Sequence, residues 1–208
     1  MNAKKYRGKK IAAILLAVVL LVGGAIGGTL AWLTAESEAV TNTFTVGNIE
    51  IDLKEHELKA DGTLDTNNAV TENNNYKIVP GGTQPKDPFV TVESGSEKCY
   101  VYVCITNDLV IGTDVVGTYN INEFSWTEVK AEGNKTLYRF NEIVDAATAD
   151  ETRQVFSKVT YDGAKITADN IQSLKDKTIT VQAYAHQSDN TTQDVADAAA
   201  TALFFPTP

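Results

Sequence analysis

The residues of this 208-residue chain best suited to metal or nucleophilic chemistry are two histidines, His56 and His186, and two cysteines, Cys99 and Cys104. His56 lies in Glu55-His56-Glu57-Leu58-Lys59. A zinc-protease helix needs a second histidine four positions on, with a glutamate between, and position 60 is alanine. The counts also exclude a three-histidine or a four-cysteine metal site. His56 therefore reads as a solvated residue at a strand end. His186 falls on the polar phase of an alternating segment and reads as a surface or half-buried, hydrogen-bonded histidine; a working base needs a positioned partner that the sequence does not show. Cys99 and Cys104 are five apart. In a strand that odd spacing puts them on opposite faces, ~16 Å apart, beyond the ~7 Å a disulfide spans. They read as small core residues, with an intermolecular bridge as the alternative.

Other chemistry finds little support. There is no Gly-x-Ser-x-Gly elbow and no phosphate-binding glycine loop. Asp61-Gly62-Thr63-Leu64-Asp65 lacks the alternating oxygen ligands and closing glutamate of a calcium loop. No catalytic residue, metal or cofactor is expected, and the chain is read as a non-enzyme.

The elements that would carry these residues are mostly strands. Thr43–Leu53 alternates, with Phe44 and Val46 on one face, and slips phase at Gly47-Asn48. Residues 59–75 are polar and asparagine-rich and read as a long exposed loop. Pro80-Gly81-Gly82 makes a turn. Phe89–Val92 is a short strand. Cys99–Thr106 is apolar on both faces, the mark of a central buried strand. Ser125–Val129 and Lys135–Phe140 form a hairpin. Gln154–Tyr161 reads as one strand. In Thr178–Gln187, Ile179, Val181, Ala183 and Ala185 face inward. Short helices are expected at Thr167–Leu174, capped by Thr167 or Asp169, and at Asp194–Phe204, with a helical turn in 141–148. Some seven strands separated by turn signals predict an antiparallel β-sandwich or jelly roll.

Charge is unevenly spread. The net charge is −9, yet Lys4, Lys5, Arg7, Lys9 and Lys10 all precede residue 11 and no acid precedes Glu36. Without residues 1–31 the basic count falls from 18 to 13 while the 27 acids remain, leaving −14. So acidic a chain is unsuited to nucleic acid or an anionic membrane surface. The basic start, the apolar run Ile11–Ile26, Gly27-Gly28, and small residues at Thr29 and Ala31 are laid out as a secretory signal peptide. Cleavage is expected between Ala31 and Trp32; a cut after Ala35, or an uncleaved anchor over Ile11–Leu33, is the alternative. The organisation read from this is a signal peptide at 1–31, an extended segment at 32–47, and a β domain at 48–208.

Gly27-Gly28-Thr29-Leu30-Ala31-Trp32-Leu33-Thr34, followed by Thr41-Asn42-Thr43-Phe44-Thr45-Val46-Gly47-Asn48-Ile49, resembles the export and start signature of the TasA/camelysin family. Val79-Pro80-Gly81-Gly82, Pro88–Val92, Tyr100–Val103, Tyr138–Glu142, Val155–Val159 and Val181–Gln187 are similar to that family's later turn and strands. The resemblance implies a jelly-roll-like sandwich, exported from a Gram-positive bacterium and processed by a SipW-type signal peptidase. It further implies a structural subunit of extracellular biofilm matrix fibres, with itself and accessory matrix proteins as partners. In this family the mature N-terminal segment of one subunit can complete the sheet of the next. The apolar plugs would then be Trp32, Leu33, Val40, Phe44 and Val46. The alternatives are a monomeric adhesin or carbohydrate-binding sandwich and, with less support, a camelysin-like metalloprotease.

Overall fold

The computed structural model of the chain describes residues 48–70, 76–122 and 124–206. The chain divides into Met1–Thr45 and Val46–Pro208, and every described residue belongs to the second unit. The fold is mainly β. In chain order the strands are β1 (Ile51–Leu58), β2 (Leu64–Val70), β3 (Thr83–Pro85), β4 (Phe89–Val92), β5 (Cys99–Asn107), β6 (Val110–Ile111), β7 (Asp114–Val115), β8 (Gly117–Tyr119), β9 (Trp126–Glu132), β10 (Lys135–Phe140), β11 (Glu151–Gln154), β12 (Lys158–Tyr161) and β13 (Ile179–Gln187). A 3₁₀ turn at Ile171–Leu174 precedes β13, and one helix, α1 (Gln193–Phe204), follows it.

All strand pairs among the described residues are antiparallel. One four-stranded sheet runs β11-β4-β1-β2 and another β13-β5-β10-β9; β3-β12-β8 forms a third, and β6-β7 is a short ribbon. The doubly apolar pattern of β5 is explained by its place inside the second sheet. On one face Cys99, Val101, Val103 and Ile105 join Val90 and Val92 of the first sheet in the main core. On the other, Tyr102 and Cys104 join Leu137, Ala196, Ala200 and Phe204 under α1. Each fully buried aliphatic side chain contributes roughly 1.5–3 kcal/mol. Trp126 links the first two sheets, its indole N–H donating to the Gln154 carbonyl at 2.9 Å.

α1 packs where the alternation of β13 leaves a half-apolar outer face. Thr192 caps it, its hydroxyl accepting from Val195 N–H at 3.4 Å. Ala196, Ala200 and Phe204 recur at helical spacing on the buried side. Asp197 then accepts from the Tyr102 hydroxyl at 2.7 Å and pairs with Arg139, itself buried. The Pro80-Gly81-Gly82 turn forms as expected. Gly81 has φ +73°, and a Cβ at Gly163 would sit 2.8 Å from Gly81 N, so neither position accommodates a side chain.

Several sequence expectations change. Within 59–75, the described residues contain β2, which pairs with the second half of β1; the exposed hairpin has no apolar face to advertise it. Gln154–Tyr161 is two strands in different sheets, broken at Val155-Phe156-Ser157. Residues 141–148 form no helical turn; Val144 makes an isolated bridge to Cys99. The Thr167–Leu174 helix shrinks to the 3₁₀ turn with Asn170 at its N-cap. β1 runs on to Leu58, five residues beyond the expected end.

Candidate functional site

The expected plug and cleavage residues, Ala31, Trp32, Leu33, Val40, Phe44 and Val46, lie outside the described residues. What the described residues show is which strands still have a free side for pairing among them. A sheet offers unpaired backbone groups only at its outermost strands, so strand order locates the site.

β13 is the outermost strand of its sheet and, among the described residues, pairs only with β5. That pairing runs through nine consecutive positions, Ile179 opposite Asn107 to Gln187 opposite Cys99, with no bulge. The edge is thus straight and roughly 26 Å long at ~3.3 Å per residue. Its sequence, ITVQAYAHQ, contains no lysine, arginine or acid. Ile179, Val181, Ala183 and Ala185 pack toward the main core but stay half-buried, because no strand lies outside them among the described residues.

The other edges differ. β9 carries Glu128, Lys130 and Glu132 and a bulge opposite Leu137-Tyr138. β11 has four residues, two of them the ion pair Arg153–Glu151 at 2.8 Å. β2 is largely exposed, carries Asp65, and pairs across a register shift. Charges, bulges and shortness are the standard protections of an edge, and β13 lacks all three.

At the Ile179 end of β13 a cavity of about 460 Å³ opens where strands of all three larger sheets meet. Ile78, Leu109, Val159, Leu174 and Ile179 supply apolar wall, and Glu55, Gln84 and Lys86 supply polar groups. Lys86 pairs with Glu55, and its ammonium lies 5.1 Å from the Tyr76 ring centroid.

The structure corrects the reading of His56. It lies within β1 rather than free at a strand end, and its Nδ1 is 2.6 Å from the Asp87 carboxylate. The reason is proline. Continuing the β1–β4 register places Pro88 and Asp87 opposite Glu55 and His56. Asp87 Oδ1 accepts the His56 backbone N–H at 3.2 Å, where the ladder would otherwise end. No local signal marks a partner 31 residues away. His186 is where the alternation placed it, its Nδ1 2.8 Å from the Tyr184 hydroxyl. Cys99 and Cys104 are free, buried and on opposite faces of β5. Burial pushes the Cys99 thiol up to about 11 and raises that of Cys104, against the pull of Lys135. Among the described residues no group of three His, Cys, Asp or Glu side chains could hold a metal, and no helix is long and apolar enough to cross a membrane.

Comparison with protein-family models, with curated proteins and with solved structures found no match.

Proposed function

We propose that the chain is an exported structural subunit that polymerises into extracellular matrix fibres, each subunit donating its N-terminal segment to the sheet of the next. On this reading residues 1–31 are removed by a SipW-type signal peptidase. The sheets form a jelly-roll-like sandwich, accessory matrix proteins join the fibre, and no catalytic step is involved. The observation that carries the proposal is the β13 edge: nine regular, uncharged positions with unpaired backbone on the outer side among the described residues. Strand addition there gains main-chain hydrogen bonds along the edge and burial for the half-exposed Val181, Ala183 and Ala185. A contact between two different surfaces of one chain propagates as a filament when the rotation between neighbours does not close a ring.

Electron microscopy of the mature-length chain, residues 32–208, tests this directly. Fibres are expected, with faster growth in mild acid, where the −14 charge is partly neutralised. Deleting residues 32–46 should leave a folded monomer with no fibres; fibres persisting in that variant would sink the strand-donation reading.

A second reading has one observation in its favour. Phe124 is 96% exposed, and beside it lies a cleft of about 560 Å³ lined by Asn120, Asn122, Gln154 and Ser157. An exposed ring near amides and hydroxyls suits a sugar face. Asn120 and Asn122, however, already hold Ser157 and Ser125. A glycan array that binds the chain but not Phe124→Ala would favour the monomeric adhesin.

A further inference from the structure

We propose that the cavity at the Ile179 end of β13 is the socket for the Phe44 ring of a second copy, brought there by residues Val40–Val46 added antiparallel to β13. The inference rests on the strand-donation reading above and adds its donor residues, its direction and its anchor.

Side-chain alternation selects the donor. In an extended strand Trp32, Val40, Phe44 and Val46 share one face, but Glu36 and Glu38 lie on that face as well. Seating the Trp32 half would carry two carboxylates between the sheets, at heavy desolvation cost. Val40–Val46 carries no charge, and Asn42 is the one polar residue on its apolar face. Its opposite face is Thr41, Thr43 and Thr45, which would line up beside Thr178 and Thr180, favourable cross-strand neighbours.

Chain length fixes the direction. Only Gly47 separates Val46 from Asn48, whose carbonyl accepts the Glu97 N–H at 3.0 Å. The donor's folded body therefore starts directly behind its strand. A parallel strand with Phe44 at the socket would drive that body into the middle of the acceptor's β13. An antiparallel strand leads it out past Ile179.

Chain length also favours a second copy as the source of the plug. Asn48 lies toward the Gln187 end of β13, since Glu97 adjoins Lys98, whose carbonyl accepts the Ser188 N–H at 2.8 Å. Glu55, which lines the socket, is seven residues further along extended chain, roughly 23 Å away. The four residues from Asn48 back to Phe44 span ~14 Å of backbone at most, ~9 Å short of the Glu55 backbone.

Charge completes the fit. Exposed Glu50 and Glu97 flank the point where the donor strand leaves its body. Exposed Lys175 and Lys177, either side of Asp176, flank the socket, and neither is ion-paired among the described residues. In a mature chain with 27 acids and 13 bases, two uncommitted lysines at this spot oppose acidic exit residues.

Complementation between crippled subunits tests the socket. Phe44→Ala, in the mature-length chain, removes the plug and keeps the socket. Ile78→Trp fills the socket and keeps the plug; Lys175→Glu/Lys177→Glu weakens the same surface should Ile78→Trp fail to fold by circular dichroism. Each variant alone should lose at least ~10-fold in fibre yield. An equimolar mixture of the plug-less and socket-less variants should give 1:1 dimers by light scattering and no fibres. Wild-type polymerisation by Phe44→Ala, or the absence of dimers in the mixture, overturns the inference. If Phe44→Ala still polymerises while deletion of 32–46 abolishes fibres, only the socket assignment falls. If the deletion variant polymerises, the reading beneath it falls too.

Discussion

The two edges of one sheet, β9 and β13, are built to opposite specifications. Both flank the same buried pair, β5 and β10, and both belong to the sheet that α1 covers on its outer face. β9 places three charges in seven residues and kinks at a bulge, so an approaching strand meets charge and loses register. β13 keeps nine positions in register with no charge. A sheet that needed only to be stable would protect both sides. Among the described residues only one is protected, which is the asymmetry that the proposed strand donation would use.

The most damaging test of that asymmetry closes β13. Ala183 is half-buried on the inward phase, so Ala183→Lys lets the stem lie along apolar surface while the ammonium occupies the edge. Fibre formation should be lost outright, by electron microscopy and sedimentation, for about 1 kcal/mol of stability. Undiminished fibres would mean that subunits meet elsewhere.

A second test asks whether the edge depends on the helix behind it. Asp197→Ala leaves the buried Arg139 without its carboxylate and Tyr102 without its acceptor. Loss of one partner of a buried pair costs roughly 3–5 kcal/mol; Asp197 is partly exposed, so about 2–3 kcal/mol is expected in urea unfolding. Removing Arg139 as well should recover part of it. A loss under 1 kcal/mol would show that α1 is held by Ala196, Ala200 and Phe204 alone.

How much of this was legible beforehand depends on whether a feature is local. The alternation of Thr178–Gln187, the doubly apolar Cys99–Thr106, the Lys135–Phe140 hairpin and the alanine-rich helix each follow from a pattern within about ten residues, and each formed. β2 formed without any such pattern, because a hairpin exposed on both faces needs no apolar phase. The break at Val155–Ser157 was hidden because Val155 and Phe156 enter the core and keep the run apolar while the chain changes sheets. The His56–Asp87 pair spans 31 residues and depends on a proline opposite. The lack of charge in β13 was visible in the sequence. Its place at an edge was not, since strand order is a property of the whole topology.

A smaller effect is expected from making β9 resemble its counterpart. Glu128→Thr, Lys130→Thr and Glu132→Thr together remove its charges and leave the bulge in place. The triple variant should keep its melting temperature within a few degrees and show a few-fold rise in side-by-side bundling by light scattering. No change would assign the protection of β9 to the bulge.

The smallest expected effect separates the edge from the sheet that carries it. The Cys99 thiol, buried in β5 and pushed up to about 11, stays protonated in the folded chain while an unfolded chain ionises near 9. Burial also raises Tyr102 and Tyr138, and the hydrogen bonds of Tyr102 to Asp197 and of Tyr138 with Tyr119 add to it. A raised acid group contributes its full stability below the unfolded value and loses it as pH climbs through the folded one. Stability should therefore hold flat on this account up to about pH 9 and fall by about 1 kcal/mol from Cys99 alone near pH 10. Thermal melts from pH 7 to 11, with Cys99→Ala as the comparison, measure that term. β5 underlies both edges equally. If β13 is open because of its own chemistry, fibre growth between pH 7 and 9 should owe nothing to this titration and should fail above it only as the fold fails. Loss of assembly below pH 9 with the melt unchanged would instead show that assembly depends on something other than the stability of this sheet.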